Sequence, residues 1–320
     1  MKKFFSVKDV PDLKHLISEA RAIKQDPYQN EDLGKRKTLG LIFLNPSLRT
    51  RLSTQKAGLN LGMQVMVMNM GQEGWALETK DGVAMDGNTV EHIREAAAVI
   101  GQYCDIVGLR SFPSLKDRDE DYNEVLFNKF MEFCKVPVVS LESATRHPLQ
   151  SFADLLTIEE EKKTERPKVV LTWAPHVKAL PQAVPNSFAE WMNRAAKEGM
   201  IDFTITHPKG YELSEEFTEG VHITHNQSEA IKDADFVYVK NWSGYQDYGK
   251  IFPTDEDWML DAGRISSNTK VMHCLPVRRD VELSSDILDG TQSLVQTEAG
   301  NRLWAAQTVL SRMLKDLSKG

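Results

Sequence analysis

With 320 residues the chain is long enough for about two domains, each with its own core. Apolar residues at 41% and charged residues at 27% are close to globular averages, which excludes disorder throughout or a fibrous repeat. The 39 Lys and Arg against 46 Asp and Glu leave −7, so no global field exists to hold nucleic acid, and a small anion needs a local basic pocket.

Apolar, β-branched runs alternate with helical patterns along the chain, the rhythm of parallel sheets covered by helices. A first block has strands expected at Thr38 to Leu44, Gln64 to Met70, Asp105 to Arg110 and Pro137 to Leu141. Its helices are expected from Ser47 to Leu61, closed by Gly62, and from Thr89 to Tyr103. A helix from Pro148 to Lys162, opened by proline, leads into a second block. There strands are expected at Lys168 to Trp173, Asp202 to Thr206, Phe236 to Val239 and Val271 to Cys274, with a helix from Asn186 to Lys197. An amphipathic helix from Leu303 to Leu317 ends the chain. The expected class is α/β, two doubly wound domains with parallel sheets. Three cysteines, Cys104, Cys134 and Cys274, are an odd number without metal-like spacing, which favours a reducing, cytoplasmic setting. The N-terminal residues lack the apolar core of a signal peptide, and no run is long enough to span a membrane.

Ligands of open parallel sheets bind outside the carboxyl ends of the strands. After the first strand comes Asn45-Pro46-Ser47-Leu48-Arg49-Thr50-Arg51, a loop that opens a helix. Its backbone N–H groups, the hydroxyls of Ser47 and Thr50, and Arg49 or Arg51 suit an anion cradle for phosphate; the same residues also suit a capped helix with two surface arginines. No P-loop or dinucleotide fingerprint is present. Arg110, Lys240 and Cys274 end expected strands, His176 follows one, and His147 precedes the helix-opening proline. His222 and His225 have helix-like or loop spacing without a recognisable Cys or Glu partner, so zinc binding is not expected there, nor any other metal or cofactor.

Three motifs in order, Ser47-Leu48-Arg49-Thr50-Arg51, His147-Pro148-Leu149-Gln150 and His273-Cys274-Leu275-Pro276, resemble those of the carbamoyltransferases, the aspartate and ornithine transcarbamylase superfamily. That resemblance spans nearly the whole chain. It implies a carbamoyl-phosphate domain over residues 1–150, completed by the C-terminal helix 303–320, an amino-acid domain over 151–302, and a homotrimer. By the same resemblance Ser47, Leu48, Arg49, Thr50, Arg110, His147, Pro148, Leu149, Gln150, Cys274, Leu275 and Arg302 bind carbamoyl phosphate. Trp75, in a loop after the second strand, reaches a neighbouring subunit's site. Arg110, His147 and Thr50 donate to the carbonyl oxygen as charge builds, with direct transfer to an amine and no covalent intermediate.

Where ordinary ornithine enzymes carry an aspartate-containing segment, this chain has Val239-Lys240-Asn241-Trp242-Ser243-Gly244. A lysine there repels a free α-ammonium and suits a substrate whose α-amine is acylated. With Trp173-Ala174-Pro175-His176 and His273 through Arg279, this resembles the acyl-ornithine branch, with Glu142, His176, Lys178, Lys240, Arg278 and Val90 as the acceptor set. After Met85-Asp86-Gly87-Asn88-Thr89, glutamate accompanies the acetyl substrate and proline the succinyl one. Here it is Val90, which matches neither; a small apolar side chain leaves room for the longer arm and places no negative charge against its carboxylate, which favours N-succinylornithine. N-acetylornithine, plain ornithine and a non-catalytic carbamoyl-phosphate-binding regulator are the alternatives. The branch also implies a knot, in which the chain near Lys240 to Lys250 threads the loop around Leu180 to Pro185.

Overall fold

The computed structural model describes residues 1–254 and 257–319. The chain divides into two compact units: Met1–Ser114 with Asp119–Leu149 and Arg302–Gly320, and Leu115–Arg118 with Gln150–Asn301. Leu115–Arg118 goes with the second unit because Arg118 lies over the Tyr245 ring and the Gly249 backbone closes on the Leu115 carbonyl.

Unit 1 begins with β1 (Lys3–Phe4), α1 (Leu13–Gln25), β2 (Thr38–Phe43), α2 (Arg49–Asn60) and β3 (Gln64–Asn69). A helical turn α3 (Met70–Glu73) and the short pair β4 (Leu77–Glu78) and β5 (Glu91–His92) come next, then α4 (Ile93–Tyr103) and β6 (Ile106–Arg110). After α5 (Arg118–Tyr122) come α6 (Val125–Cys134) and β7 (Val138–Glu142). The sheet order is β1-β7-β6-β2-β3, all parallel. The inner strand β2, Thr-Leu-Gly-Leu-Ile-Phe, is buried along almost its whole length, as a strand covered on both faces must be. Edge strand β3 alternates instead, with Gln64, Met66 and Met68 outward. Phe127 and Phe130 of α6 pack with Ile93, Val107 and Leu109, each ring contributing about 2–3 kcal/mol by burial. Gly101 lets α4 approach α6 so closely that a Cβ there would sit 1.8 Å from the Cys134 carbonyl oxygen. Gly62, at φ 77°, ends α2 in the left-handed conformation.

One irregularity bears on the chemistry. β6 and β7 run in register from Val107↔Val138 to Leu109↔Ser140, and the register then shifts by one so that Arg110 stands opposite Glu142 instead of Leu141.

Unit 2 takes most of α7 (Pro148–Glu161), then β8 (Lys168–Trp173), α8 (Ala183–Lys197), β9 (Asp202–Thr206), α9 (Glu215–Thr218), β10 (His222–Thr224), α10 (Gln227–Ile231), β11 (Phe236–Lys240), β12 (Lys270–Met272) and α11 (Ser285–Asp289). Its sheet, β10-β9-β8-β11-β12, is also all parallel, around a core of Val170, Val237, Val239, Val271 and Leu283. Ser243 donates from its backbone N to Leu180 O at 3.0 Å, and Gln182 Nε2 donates to Ser243 O at 2.8 Å, so the segments around 180 and 243 are bound together. The last helix, α12 (Val295–Leu317), begins eight residues before the expected Leu303, because its first turns are polar yet buried at Glu298, Asn301 and Arg302.

Candidate active site

In unit 1 the carboxyl ends of β2, β6 and β7 lie side by side, so the loops that leave these three strands share one edge of the sheet. Leu44 N donates to Arg110 O at 3.0 Å, Ser111 N to Glu142 O at 2.8 Å, and Phe112 N to the Asn45 side chain at 2.7 Å, which ties the three loops together. Helix α2 starts here with Leu48 at its N-cap position and no side-chain capping bond. Thr50 is buried, Ser47 and Arg49 are half-buried, and Leu48 points out at 68% exposure. Arg302 donates to the Thr50 hydroxyl and lies 3.5 Å from His147 Nε2.

Arg110, His147 and Glu142 form one buried cluster: the guanidinium is ion-paired with the Glu142 carboxylate, and His147 Nε2 lies 3.4 Å from the same oxygen. Glu142, expected among the acceptor residues, ends β7 in unit 1 beside Arg110 and His147. Arg110 also lies over the Phe112 ring, 4.5 Å from its centroid. Arg110 Nε and His147 Nδ1 are buried and have no hydrogen-bond partner among the described residues. Burial, then the charges of Arg302, Arg110 and Arg49, hold the His147 imidazole well below its ordinary range, so it is neutral at pH 7.

Glu124, which sequence reasoning missed, sets the loop before His147. It adopts φ 51° and accepts from Ser143 Oγ (2.6 Å), Thr145 N (2.8 Å) and Thr145 Oγ1 (2.5 Å). Burial raises its pKa against those donors, whose bonds oppose the shift. Nothing in a polar run such as Asp119-Glu120-Asp121-Tyr122-Asn123-Glu124 signals that the last carboxylate is inside.

Trp75 follows the turn α3 rather than the strand directly; it is half exposed, with Nε1 donating to Glu91 Oε2 at 2.7 Å. Val90, 65% exposed, is bound through its backbone N to Ala76 O at 3.0 Å. One exposed segment thus carries both side chains.

In unit 2, His176 follows β8 and meets Arg278, whose Nε donates to His176 Nε2 at 3.1 Å; the exposed Lys178 brackets the same ring through its backbone. Lys240 ends β11 and is buried, with its carbonyl accepting from Ala174 N. Cys274 was expected to end a strand, but β12 stops at Met272. The chain turns there because Leu275 takes φ 55° while its N–H donates to His273 Nδ1 at 2.9 Å, and Leu275-Pro276 is cis. Glu282, another residue not anticipated, accepts from Arg278 N at 2.8 Å and faces His273 Nε2 at 3.4 Å. Burial acts to raise its pKa, but the His273 hydrogen bond and the charges of His273 and Lys240 bring it down to about 2.

Gln150, expected to hold carbamoyl phosphate, is buried in unit 2 and gives its Nε2 to Asp154 (2.7 Å) and Glu298 (2.9 Å). Its amide hydrogens are used inside the protein in this structure. Glu298 also accepts from His273 N at 3.0 Å; burial and the neighbouring Asp154 carboxylate raise its pKa well above the ordinary carboxylate range.

His222 lies on β10, and His225 has partners that chain separation hid: one ligand atom each from His207, Glu212 and His225 lies within 4.8 Å of the others. Parallel register pairs Thr206 with Thr224, so residues 207 and 225 leave the sheet together. Among the described residues no helix is long and apolar enough to cross a membrane.

Comparison with known proteins adds the family. Residues 2–160 match the model of the aspartate/ornithine carbamoyltransferase carbamoyl-P binding domain, and residues 183–313 match its Asp/Orn binding domain. The N-succinylornithine carbamoyltransferase of Bacteroides thetaiotaomicron is 52% identical over 321 residues, covering 99% of this chain and 100% of the relative. The N-acetylornithine carbamoyltransferase of Xylella fastidiosa is 31% identical over 338 residues, 98% of each chain. Among solved structures, a glutamate-to-valine mutant of N-acetyl-L-ornithine transcarbamylase, crystallised with carbamyl phosphate and N-succinyl-L-norvaline, superposes with a TM-score of 0.88 at 30% identity, covering 98% of this chain and 100% of that one. With both domain models matched and full-length relatives of this similarity, the chain belongs to the aspartate/ornithine carbamoyltransferase family and falls in its N-acyl-ornithine branch.

Proposed function

We propose that the protein transfers the carbamoyl group of carbamoyl phosphate to the δ-amine of N-succinyl-L-ornithine, giving N-succinyl-L-citrulline and phosphate, as a cytoplasmic step of arginine biosynthesis. The observation that carries the donor half is the pair of buried, unsatisfied atoms, Arg110 Nε and His147 Nδ1, beside the uncapped start of α2. Left without partners they cost stability; a bound carbonyl oxygen or phosphate satisfies them.

The phosphate is held by the α2 backbone N–H groups with Ser47, Arg49 and Trp75, and Leu48 supplies only its backbone. Arg302 keeps Thr50 oriented: by donating to Oγ1 it leaves the hydroxyl hydrogen for the ligand. His147 Nε2 stands between the Arg302 guanidinium and the Glu142 carboxylate, which leaves Nδ1 as the ring nitrogen that faces the ligand. Pro148 and Leu149, both buried, fix the imidazole at the helix start.

The neutral δ-amine attacks the carbamoyl carbon, a tetrahedral oxyanion forms, the carbon–oxygen bond to phosphate breaks, and the departing phosphate carries off the proton that the amine loses. No enzyme nucleophile is required; Cys274 contributes its backbone carbonyl, with Leu275, to hold the amine. Glu142, His176, Lys178, Lys240 and Arg278 bind the acyl-ornithine, with Lys240 or Arg278 on a substrate carboxylate.

The succinyl reading rests on the similarity to the succinyl enzymes and on the apolar Val90, which offers no charge to repel a terminal carboxylate. In solved relatives, replacement of a glutamate by alanine, valine or serine accompanies bound N-succinyl-L-norvaline. The exposed segment carrying Trp75 and Val90 supports a homotrimer in which both reach a neighbouring subunit's site. The hydrogen bonds between Ser243 and the Leu180 segment are in keeping with the knot that the branch implies. The test is ureido product formed from carbamoyl phosphate with ornithine, N-acetylornithine and N-succinylornithine in parallel. N-succinylornithine should give the highest kcat/KM, and a better rate with either other acceptor would overturn the substrate assignment.

A further inference from the structure

We propose that His207, Glu212 and His225 form a divalent metal site, of zinc type by its donors, at the outer end of strands β9 and β10. The site belongs to neither substrate set and does not depend on the proposed reaction.

Its geometry comes from the sheet. Thr206 and Thr224 are register partners, and His207 N donates to Thr224 O at 3.3 Å, so the two strands hand over adjacent histidines. The chain then turns through Gly210, at φ 89°, and returns Glu212; Gly210 N donates to Glu212 Oε1 at 3.1 Å, which leaves Oε2 as a ligand oxygen. One ligand atom from each residue lies within 4.8 Å of the other two. Tetrahedral zinc spaces nitrogen and oxygen ligands about 3.4 Å apart, so closure takes about an ångström. His225 is exposed and Glu212 half-buried, and these two supply the movement.

The rings are set as metal ligands are. His207 Nδ1 faces the Pro208 carbonyl at 2.8 Å, and His225 Nδ1 faces the His207 carbonyl at 2.8 Å. A backbone carbonyl accepts only from N–H, so both protons are on Nδ1 and both Nε2 atoms present lone pairs, the outer-shell arrangement that fixes a ligand's tautomer. His207 is fully buried, and its Nε2 has no partner among the described residues. The Trp242 ring, edge-on at 6.3 Å, and the His225 ring at 5.1 Å hold it in place. Two imidazoles and one carboxylate suit zinc, with solvent as fourth ligand on the exposed His225 side. A bound ion would pin the loop from His207 to Glu212 onto the end of β10.

The experiment is calorimetric titration of ZnCl2 into tag-free, EDTA-treated and dialysed full-length protein, with MgCl2 as control. His225→Gln and Glu212→Gln are compared with the wild type because both residues are at or near the surface and their replacement leaves the core intact. The wild type should bind one equivalent of zinc with a rise in Tm, magnesium should produce neither, and each variant should bind at least about tenfold more weakly. Absence of a one-equivalent event in the wild type, or a loss smaller than tenfold in the variants, would overturn the site whether or not the protein transfers carbamoyl groups.

Discussion

Arg302 donates a hydrogen bond to the hydroxyl of Thr50 across 252 residues of sequence, so the last helix orients a side chain at the first turn of α2. If this bond aims the Thr50 hydrogen at the substrate, Thr50→Val should lower kcat by about 10²–10³-fold, as removal of one oxyanion donor does, with little change in KM. Arg302→Met should share part of that loss, and the double variant should fall short of the product of the two effects. Steady-state rates of ureido formation for the four proteins decide it; multiplicative losses would mean that the two residues act independently.

His147 gives a pH signature. Its folded-state pKa is depressed by burial and by three arginines, so an unfolded chain takes up a proton as pH falls through about 6.5 while the native chain does not. Stability from this group is complete above pH 6.5 and is lost below it, about 1 kcal/mol between pH 7.5 and 5.5. His147→Asn should remove that loss, which urea melts at the two pH values will show as a smaller difference than in the wild type.

Glu282 acts further into acid. Its pKa of about 2 lies below the ordinary 4.5, so its contribution is complete above pH 4.5 and disappears as pH falls towards 2. The advantage of wild type over Glu282→Gln should therefore shrink by about 2 kcal/mol from pH 6 to pH 3. A constant gap across that range would show that the carboxylate is not stabilised by His273 and Lys240.

Acceptor choice should turn on Val90. A carboxylate introduced as Val90→Glu crowds and repels a succinyl arm but not an acetyl group, and the ratio of kcat/KM for the two acceptors should move towards acetyl by about tenfold or more. Parallel assays with both acceptors check it, and an unchanged ratio would place the acyl tail elsewhere.

Subunit exchange offers a sharper check on Trp75. Trp75→Ala and Arg302→Met chains, each expected to be impaired alone, can be mixed by reversible unfolding. If Trp75 serves a neighbouring site in a cyclic trimer, about one-quarter of sites in a random 1:1 mixture regain both residues. If it serves its own chain, no site does, and activity stays at the level of the parents.

Strands with unbroken apolar runs were legible: Lys168–Trp173 and Asp202–Thr206 have the bounds that composition implies. Groups at strand ends, Arg110 and Lys240, were legible for the same reason, since a charged residue closing a buried run is conspicuous. Helices α1 and α6 were passed over although Asp12 caps the first; neither lies beside a motif. Carboxylates were the main failure. Glu124, Asp154, Glu282 and Glu298 were not singled out, yet each is buried, with Glu124 holding the loop before His147, Asp154 holding Gln150, and Glu282 and Glu298 meeting His273. Their burial depends on partners far along the chain, which local patterning does not carry. The His207–Glu212–His225 group was missed likewise, because strand register brings it together.

The shifted register between β6 and β7 makes chain length itself part of the electrostatics. Side chains alternate faces along a strand, so inserting one residue between Ser140 and Glu142 would keep every charged group in the sequence while carrying the carboxylate one step past the guanidinium, about 3.3 Å along the strand and towards the opposite side of the sheet. Length changes at this one step, silent in any tally of substitutions, are therefore among the most damaging the fold can suffer.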